Sequence, residues 1–231
     1  MDIEFNDVTK RYGGDAALDG VSFTARSGRV TGFVGRNGAG KTTALRVLLG
    51  LTQADAGTAT IGGRLAQQLE AGTVGVSLEA AFHPGRTGRA HLRYLAVALG
   101  LGSGAVEEML EELDLGAVAQ RRVRGYSLGQ RQRLGLASGL LGRPRVLVLD
   151  EPANGLDPGG VLWLRDRLRS AASQGTTVLV SSHVLSELEH VIDDVVVLDC
   201  RVLWTGCRED VVDRAGTLEE LFKQLSMEEA A

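Results

Sequence analysis

The residues from Gly35 to Thr42 read "GRNGAGKT", which fits the spacing G-x-x-x-x-G-K-[ST] at Gly35, Gly40, Lys41 and Thr42. Glycines at this spacing let backbone N–H groups curl around an anion without Cβ clashes. A helix that begins beside Lys41 turns its free amides and the positive end of its dipole toward the same anion. Of the 25 basic residues only three are lysines, Lys10, Lys41 and Lys223. A compact ammonium on a flexible stem reaches β- and γ-phosphates as a point charge, whereas a planar guanidinium suits a phosphate fork. Thr42 offers a hydroxyl to Mg2+, and Asn37, Gly38 and Thr43 join the same nucleotide-binding set. The implied chemistry is binding of a nucleoside triphosphate with its Mg2+. The alternative, a glycine-rich turn carrying an exposed lysine, does not require the strand before it and the helix after it.

A second polar cluster follows "RVLVLDEP", an apolar run that ends in Asp150 and Glu151. An aspartate at the C-terminal end of a buried parallel strand lies at the edge where such sheets bind ligands. There Asp150 can hold Mg2+ through water opposite Thr42, and Glu151 can accept the proton of an attacking water. The strand "TTVLVSS" ends next to His183, whose imidazole can bond a γ-phosphate or orient that water. His83, His91 and His190 carry no such context and read as structural.

These residues need a scaffold that brings distant strand ends together. Residues 1–34 read as β structure through "IEFNDV", "VSFTAR" and "RVTGFVG", with turns at "YGGD" and "RSG". "TALRVLLGL" has helical apolar spacing, and the short strands "GTATIGG" and "TVGVSL" follow it. The pattern then turns helical in "GRAHLRYLAVALGL", "AVEEMLEELDL" and "SLGQRQRLGLASGLLG", the last opening on a serine cap. Beyond it come the strand "RVLVLD", the helix "VLWLRDRLRSAAS", the strand "TTVLVSS", the helix "VLSELEHVI", the strands "DVVVLDC" and "RVLWTG", and one amphipathic helix in "TLEELFKQLSMEEA". The alternation predicts an α/β protein with a mostly parallel sheet and helices on its faces.

Composition narrows the class. The chain has 231 residues, 44% of them hydrophobic, and a net charge of −4, so no general nucleic-acid surface is expected. No apolar run reaches the ~18 residues of a membrane span, and the N-terminal stretch lacks the basic and apolar regions of a secretion signal. Cys200 and Cys207 lack metal-ligand spacing and read as free thiols, which places the chain in the cytoplasm.

Taken together the motifs resemble those of the ATP-binding cassette (ABC) ATPases. "YSLGQRQRLGLA" is similar to the family's signature motif, "ANGLDP" to its D-loop and "SSH" to its H-loop, and Tyr12 in "KRYGG" stands where the family stacks a ring on adenine. The resemblance implies a P-loop NTPase fold with an N-terminal antiparallel β subdomain and an inserted α-helical subdomain. It divides a single domain into a nucleotide-binding core with its β subdomain (1–78 and 146–206), a helical signature subdomain (79–145) and a helical tail (207–231). It also implies ATP and Mg2+ as ligands, with two ATP molecules buried in a head-to-tail dimer. Each would be gripped by the lysine loop of one copy and covered by Ser127, Gly129 and Gln130 of the other. Two departures stand out. Leu128 and Tyr126 replace a glycine and a leucine of the usual signature, and Glu79 replaces the family's Q-loop glutamine as a metal or coupling residue. A glutamate there is similar to bacitracin- and lantibiotic-type export ATPases. The expected partners are a second, identical cassette and a separate integral-membrane permease contacted by residues 79 to about 100, with the chain peripheral at the inner face of the membrane. The expected activity is ATP hydrolysis driving export of a drug, peptide or lipid. The competing readings are a non-transport cassette acting on DNA or ribosomes, and a GTPase or kinase. No coiled coil, zinc-binding insertion or guanine-reading N-K-x-D supports either.

Overall fold

The computed structural model describes residues 1–78 and 82–229. Its centre is a six-stranded sheet built where the sequence carries its longest apolar runs. Strands β3 (Val30–Val34), β6 (Val146–Asp150), β7 (Thr177–Ser182) and β8 (Asp194–Asp199) are buried almost throughout, as strands covered on both faces must be. With β5 (Val74–Ser77) and β9 (Arg201–Cys207) they run in the order β5-β6-β7-β3-β8-β9. All neighbours are parallel except β8 and β9, which form an antiparallel hairpin at one edge. A second, antiparallel sheet has the order β2-β1-β4 and comprises β1 (Ile3–Tyr12), β2 (Asp15–Ala25) and β4 (Ala56–Ile61).

Alternate residues of the central strands feed two cores. Phe33, Val146, Val148, Leu179 and Val196 face the small sheet and helix α1 (Lys41–Leu48). Val34, Leu147, Leu149, Val180 and Val197 face the helices on the other side. The two sheets are joined by a stack of rings, Phe5 on Phe23 at 4.4 Å and Phe23 on Phe33 at 5.2 Å between centroids. Phe33 therefore ties the strand that leads into the glycine loop to the small sheet behind it.

Between β5 and β6 the chain forms α2 (Gly88–Ala98), α3 (Ser103–Glu112) and α4 (Leu128–Leu140). Arg133 on α4 binds the Asp114 carboxylate at 2.9 Å and lies 4.3 Å from the Trp163 ring of helix α5 (Pro158–Ser173), linking these helices to the sheet's flank. Asp157 caps α5 by accepting from the Gly160 amide at 2.7 Å, and Pro158 fills the first helical position, where no amide partner is needed.

Two segments differ from the periodicity reading. "VLSELEHVI" is helical only over α6 (Leu185–Leu188), because Val191 and Ile192 drop into the core and the chain must turn to enter β8. A helix not expected from apolar spacing, α7 (Arg208–Ala215), precedes α8 (Leu218–Glu229). Val211 is its sole buried residue, too sparse a stripe to register, and its start is set by the Asp210 carboxylate accepting from the Cys207 amide at 2.7 Å.

Candidate functional site

Strand register assembles the site. In the β6–β7 pair Asp150 lies opposite Ser181, and in the β3–β7 pair Val34 lies opposite Ser182. The residues that follow, Gly35, Glu151 and His183, consequently leave the sheet at one edge although they stand far apart in the chain. This is the C-terminal edge of parallel strands, where open α/β sheets bind ligands.

The glycine loop is tightly seated there. A Cβ on Gly35 would stand 2.3 Å from the Leu198 carbonyl oxygen, and one on Gly40 would stand 2.2 Å from that of Ala17. Gly40 also has φ +95°, which an L side chain rarely adopts, and it leads directly into α1. Asn37 and Gly38 form the exposed crest of the loop, while Thr42 and Thr43 are half-buried at the first turn of α1. Lys41 is buried, with 6% of its surface exposed. Its ammonium donates to the carbonyl of Gly35 at 2.7 Å and of Arg36 at 3.2 Å, and pairs with Glu151 Oε1 at 3.4 Å. The loop thus wraps around its own cation, whose ammonium is held by two loop carbonyls and the Glu151 carboxylate.

The acidic pair meets this loop. Thr42 Oγ1 donates to Asp150 Oδ2 at 2.7 Å, and the Ser181 hydroxyl donates to the other oxygen of Asp150. Glu151 has φ +48°, a left-handed conformation that costs a non-glycine residue about 1 kcal/mol or more. The conformation is held by its amide, which donates to Ser181 Oγ at 3.0 Å, and by Glu151 Oε2, which lies 2.7 Å from His183 Nδ1 and 3.2 Å from the His183 amide. Glu151 is thereby suspended between Lys41 and His183.

The donors suit Mg2+. A hydroxyl and a carboxylate at hydrogen-bond distance are hard oxygen ligands. Among the described residues no group of three His, Cys, Asp or Glu side chains could hold a metal. An ion here would complete its shell with phosphate oxygens and water, as Mg2+ characteristically does. Glu79, the third expected metal residue, lies outside the described residues.

Two expected components stand apart from this cluster. Tyr12 ends β1 and is half-exposed, with the Lys10 ammonium 5.5 Å from its ring centroid. Ser127, Gly129 and Gln130 form the start of α4. Ser127 Oγ accepts from the Gln130 amide at 3.2 Å and Gln130 Oε1 accepts from the Ser127 amide at 3.0 Å, a reciprocal cap. Among the described residues no hydrogen bond or ion pair joins this turn to the glycine loop. It packs instead on residues 154–156: Leu128 lies over Gly155, Gly129 faces Leu156, and the Gln132 amide donates to the Asn154 carbonyl at 3.3 Å. Leu128 remains 52% exposed, so the turn faces outward.

Periodicity alone did not identify the part played by Ser181, which binds both Asp150 and the Glu151 backbone. Its signal was a hydroxyl at a strand end, and only the β6–β7 register gives that position meaning. The contact of Leu128 with residues 154–156 carried no sequence signal at all.

A family profile described as "ABC transporter" matches residues 18–154. The chain is 32% identical over 222 residues to the lantibiotic transport ATP-binding protein SrtF of Streptococcus pyogenes, covering 95% of each. It is 39% identical over 199 residues to the bacitracin transport ATP-binding protein BcrA of Bacillus licheniformis, covering 84% of this chain and 65% of that one. A solved structure described as the ATP binding subunit of an ABC transporter superposes with a TM-score of 0.88 at 28% identity, over 98% of this chain and all of the other.

Proposed function

From a chain that belongs to the ABC transporter family, and so is an ATP-binding, ATP-hydrolysing cassette, we infer a subunit that drives export of a peptide, drug or lipid through a separate membrane protein. The carrying observation is the convergence of Lys41, Thr42, Asp150, Glu151 and His183 at one sheet edge. Lys41 and the loop amides hold the phosphate charge. Thr42, and Asp150 through water, would hold Mg2+, which would supply positive charge against the phosphate oxygens. Glu151 takes the proton of the attacking water, and His183 fixes the carboxylate that does so. Tyr12 stacks on the base.

The outward-facing turn at Ser127 completes the site of a second copy. Its hydroxyl and the Gly129 and Gln130 amides sit at the positive end of α4, which suits a γ-phosphate. Two identical chains then close over two nucleotides, and hydrolysis removes the charge that bridges them. Residues 146–206 with 1–78 act as the nucleotide core, 79–145 as the lobe that carries the signature turn, and 207–231 as the tail.

The relatives named for lantibiotic and bacitracin transport favour export. No described helix is long and apolar enough to cross a membrane, so the transported compound would pass through another chain. The contact with that permease falls on residues 79–100, where α2 leaves Tyr94 60% and Val97 79% exposed. This contact would hold the cassette at the inner membrane face.

Glu151→Gln tests the core of this reading. The variant should retain ATP, hydrolyse it at least a hundredfold more slowly, and elute as a dimer in ATP and as a monomer without it. Normal turnover with no dimer in ATP would refute both the base and the closed pair.

A further inference from the structure

We propose that a cavity at the opposite edge of the central sheet binds a phosphate group. The cavity, of about 170 Å3, opens where α4 passes into β6 and α5 passes into β7. Arg145 precedes the first residue of β6 and Thr176 precedes the first residue of β7. The site therefore lies at the far end of the strand that carries Asp150, separate from the nucleotide loop.

Arg143, Arg145 and Arg167 line this cavity with Ser170, Gln174 and Thr176. The one carboxylate on its rim among the described residues, Glu112, is held by Arg143 at 2.7 Å. Neither Arg145 nor Arg167 has a side-chain acceptor among the described residues. The Nε of Arg167 is shut off from solvent without a hydrogen-bond partner. The buried Nε atoms of Arg89 and Arg131 also lack partners, but those guanidiniums are anchored through another nitrogen, by Glu107 and by the Arg124 carbonyl. Arg167 has no such anchor among the described residues.

The covered Nε lies out of a ligand's reach, so the terminal nitrogens of the Arg167 guanidinium are the donors open to an anion in the cavity. Two guanidiniums beside one small cavity supply the paired N–H groups that recognise a phosphate. The cavity far exceeds the ~10–15 Å3 that one water needs by the same measure, which leaves room for a phosphate monoester head. The Gln174 amide is already committed to Ser170 Oγ at 3.1 Å and the Thr176 hydroxyl to the Pro144 carbonyl at 3.0 Å, so the arginines carry the recognition. An occupant would tie the α4–β6 turn to α5.

The test follows the Nε–H resonances of the arginines in 15N-labelled full-length protein, with Arg167 assigned by its loss in Arg167→Lys. Inorganic phosphate and glycerol 3-phosphate are titrated at constant ionic strength against a chloride control. Saturable movement of the Arg167 signal by either soluble phosphate, and not by chloride, is expected, and it should persist in Lys41→Ala because the nucleotide loop is not involved. Arg145→Gln should weaken the apparent affinity about tenfold while leaving the thermal melt and basal ATP hydrolysis unchanged. Movement by phosphate that chloride reproduces would overturn the proposal. So would binding to phosphatidate-containing vesicles with no response to either soluble phosphate, which would assign these arginines to a lipid surface. Loss of the response in Lys41→Ala would also overturn it, by tracing the signal to the nucleotide loop.

Discussion

At the scale of the residue, Lys41 is the position where composition and chemistry diverge. An arginine-rich chain retains a lysine where a buried point charge must sit among the carbonyls of Gly35 and Arg36. Lys41→Ala should lower ATP affinity by at least tenfold and abolish measurable turnover, read by fluorescent-nucleotide titration and phosphate release. ATP bound as tightly as by the parent protein would remove the role given to this ammonium. Lys41 was singled out from the residues alone by the spacing of its glycine loop, and Asp150 and Glu151 by the apolar run that they end and follow. The link from His183 Nδ1 to Glu151 was not, since a histidine after a strand has no partner until register supplies one.

At the scale of the element, two packing arrangements hold the site in place. Phe33 is fully buried in the strand that feeds the glycine loop and stacks on Phe23. Phe33→Ala should cost about 3–5 kcal/mol in denaturant unfolding, and an unchanged midpoint would mean that the ring stack carries no weight. On the other flank, His91 of α2 bonds Ser138 of α4 at 3.1 Å and meets the Phe82 ring edge-on at 5.0 Å. Burial, followed by the nearby Arg86 charge, pulls its imidazole below the ordinary 6.5. The folded protein thus disfavours the extra proton that the unfolded chain accepts. The stability due to neutral His91 is fully present above about pH 6.5 and is lost as pH falls through the lower folded value. The melting temperature should drop between pH 7.5 and pH 5 more steeply for the parent than for His91→Gln. Parallel curves would show that His91 does not titrate in this window. The strands themselves were legible because they are buried on both faces. Helix α7, with one buried residue, was invisible to apolar periodicity.

At the scale of the whole molecule, the serine turn and the lysine loop of one chain have no hydrogen bond between them among the described residues. That separation fits the proposed head-to-tail pair, in which each nucleotide meets one loop and a neighbour's turn. Mixing Lys41→Ala with Ser127→Arg protein tests it directly. Each variant alone should be inactive. A mixed pair would contain one site with both an intact lysine and an intact serine turn, so an equimolar mixture should recover about a quarter of the parent activity if pairing is random. A mixture no more active than its components would mean that the two motifs do not share a site across chains.

Motif spacing, strand-length apolar runs and the rarity of lysine determined from the sequence by itself the fold class, the glycine loop and the acidic pair that meets it. These features depend on neighbours in the chain, where geometry is set within a few residues. Only the tertiary structure decided that Ser181 braces both Asp150 and Glu151, that Leu128 lies over Gly155, and that Arg145 and Arg167 line one cavity with no side-chain partner among the described residues. Those relations follow from strand register and helix packing. A single-residue slip in either would turn the same side chains to other faces, and nothing in the local sequence encodes which partner each then meets.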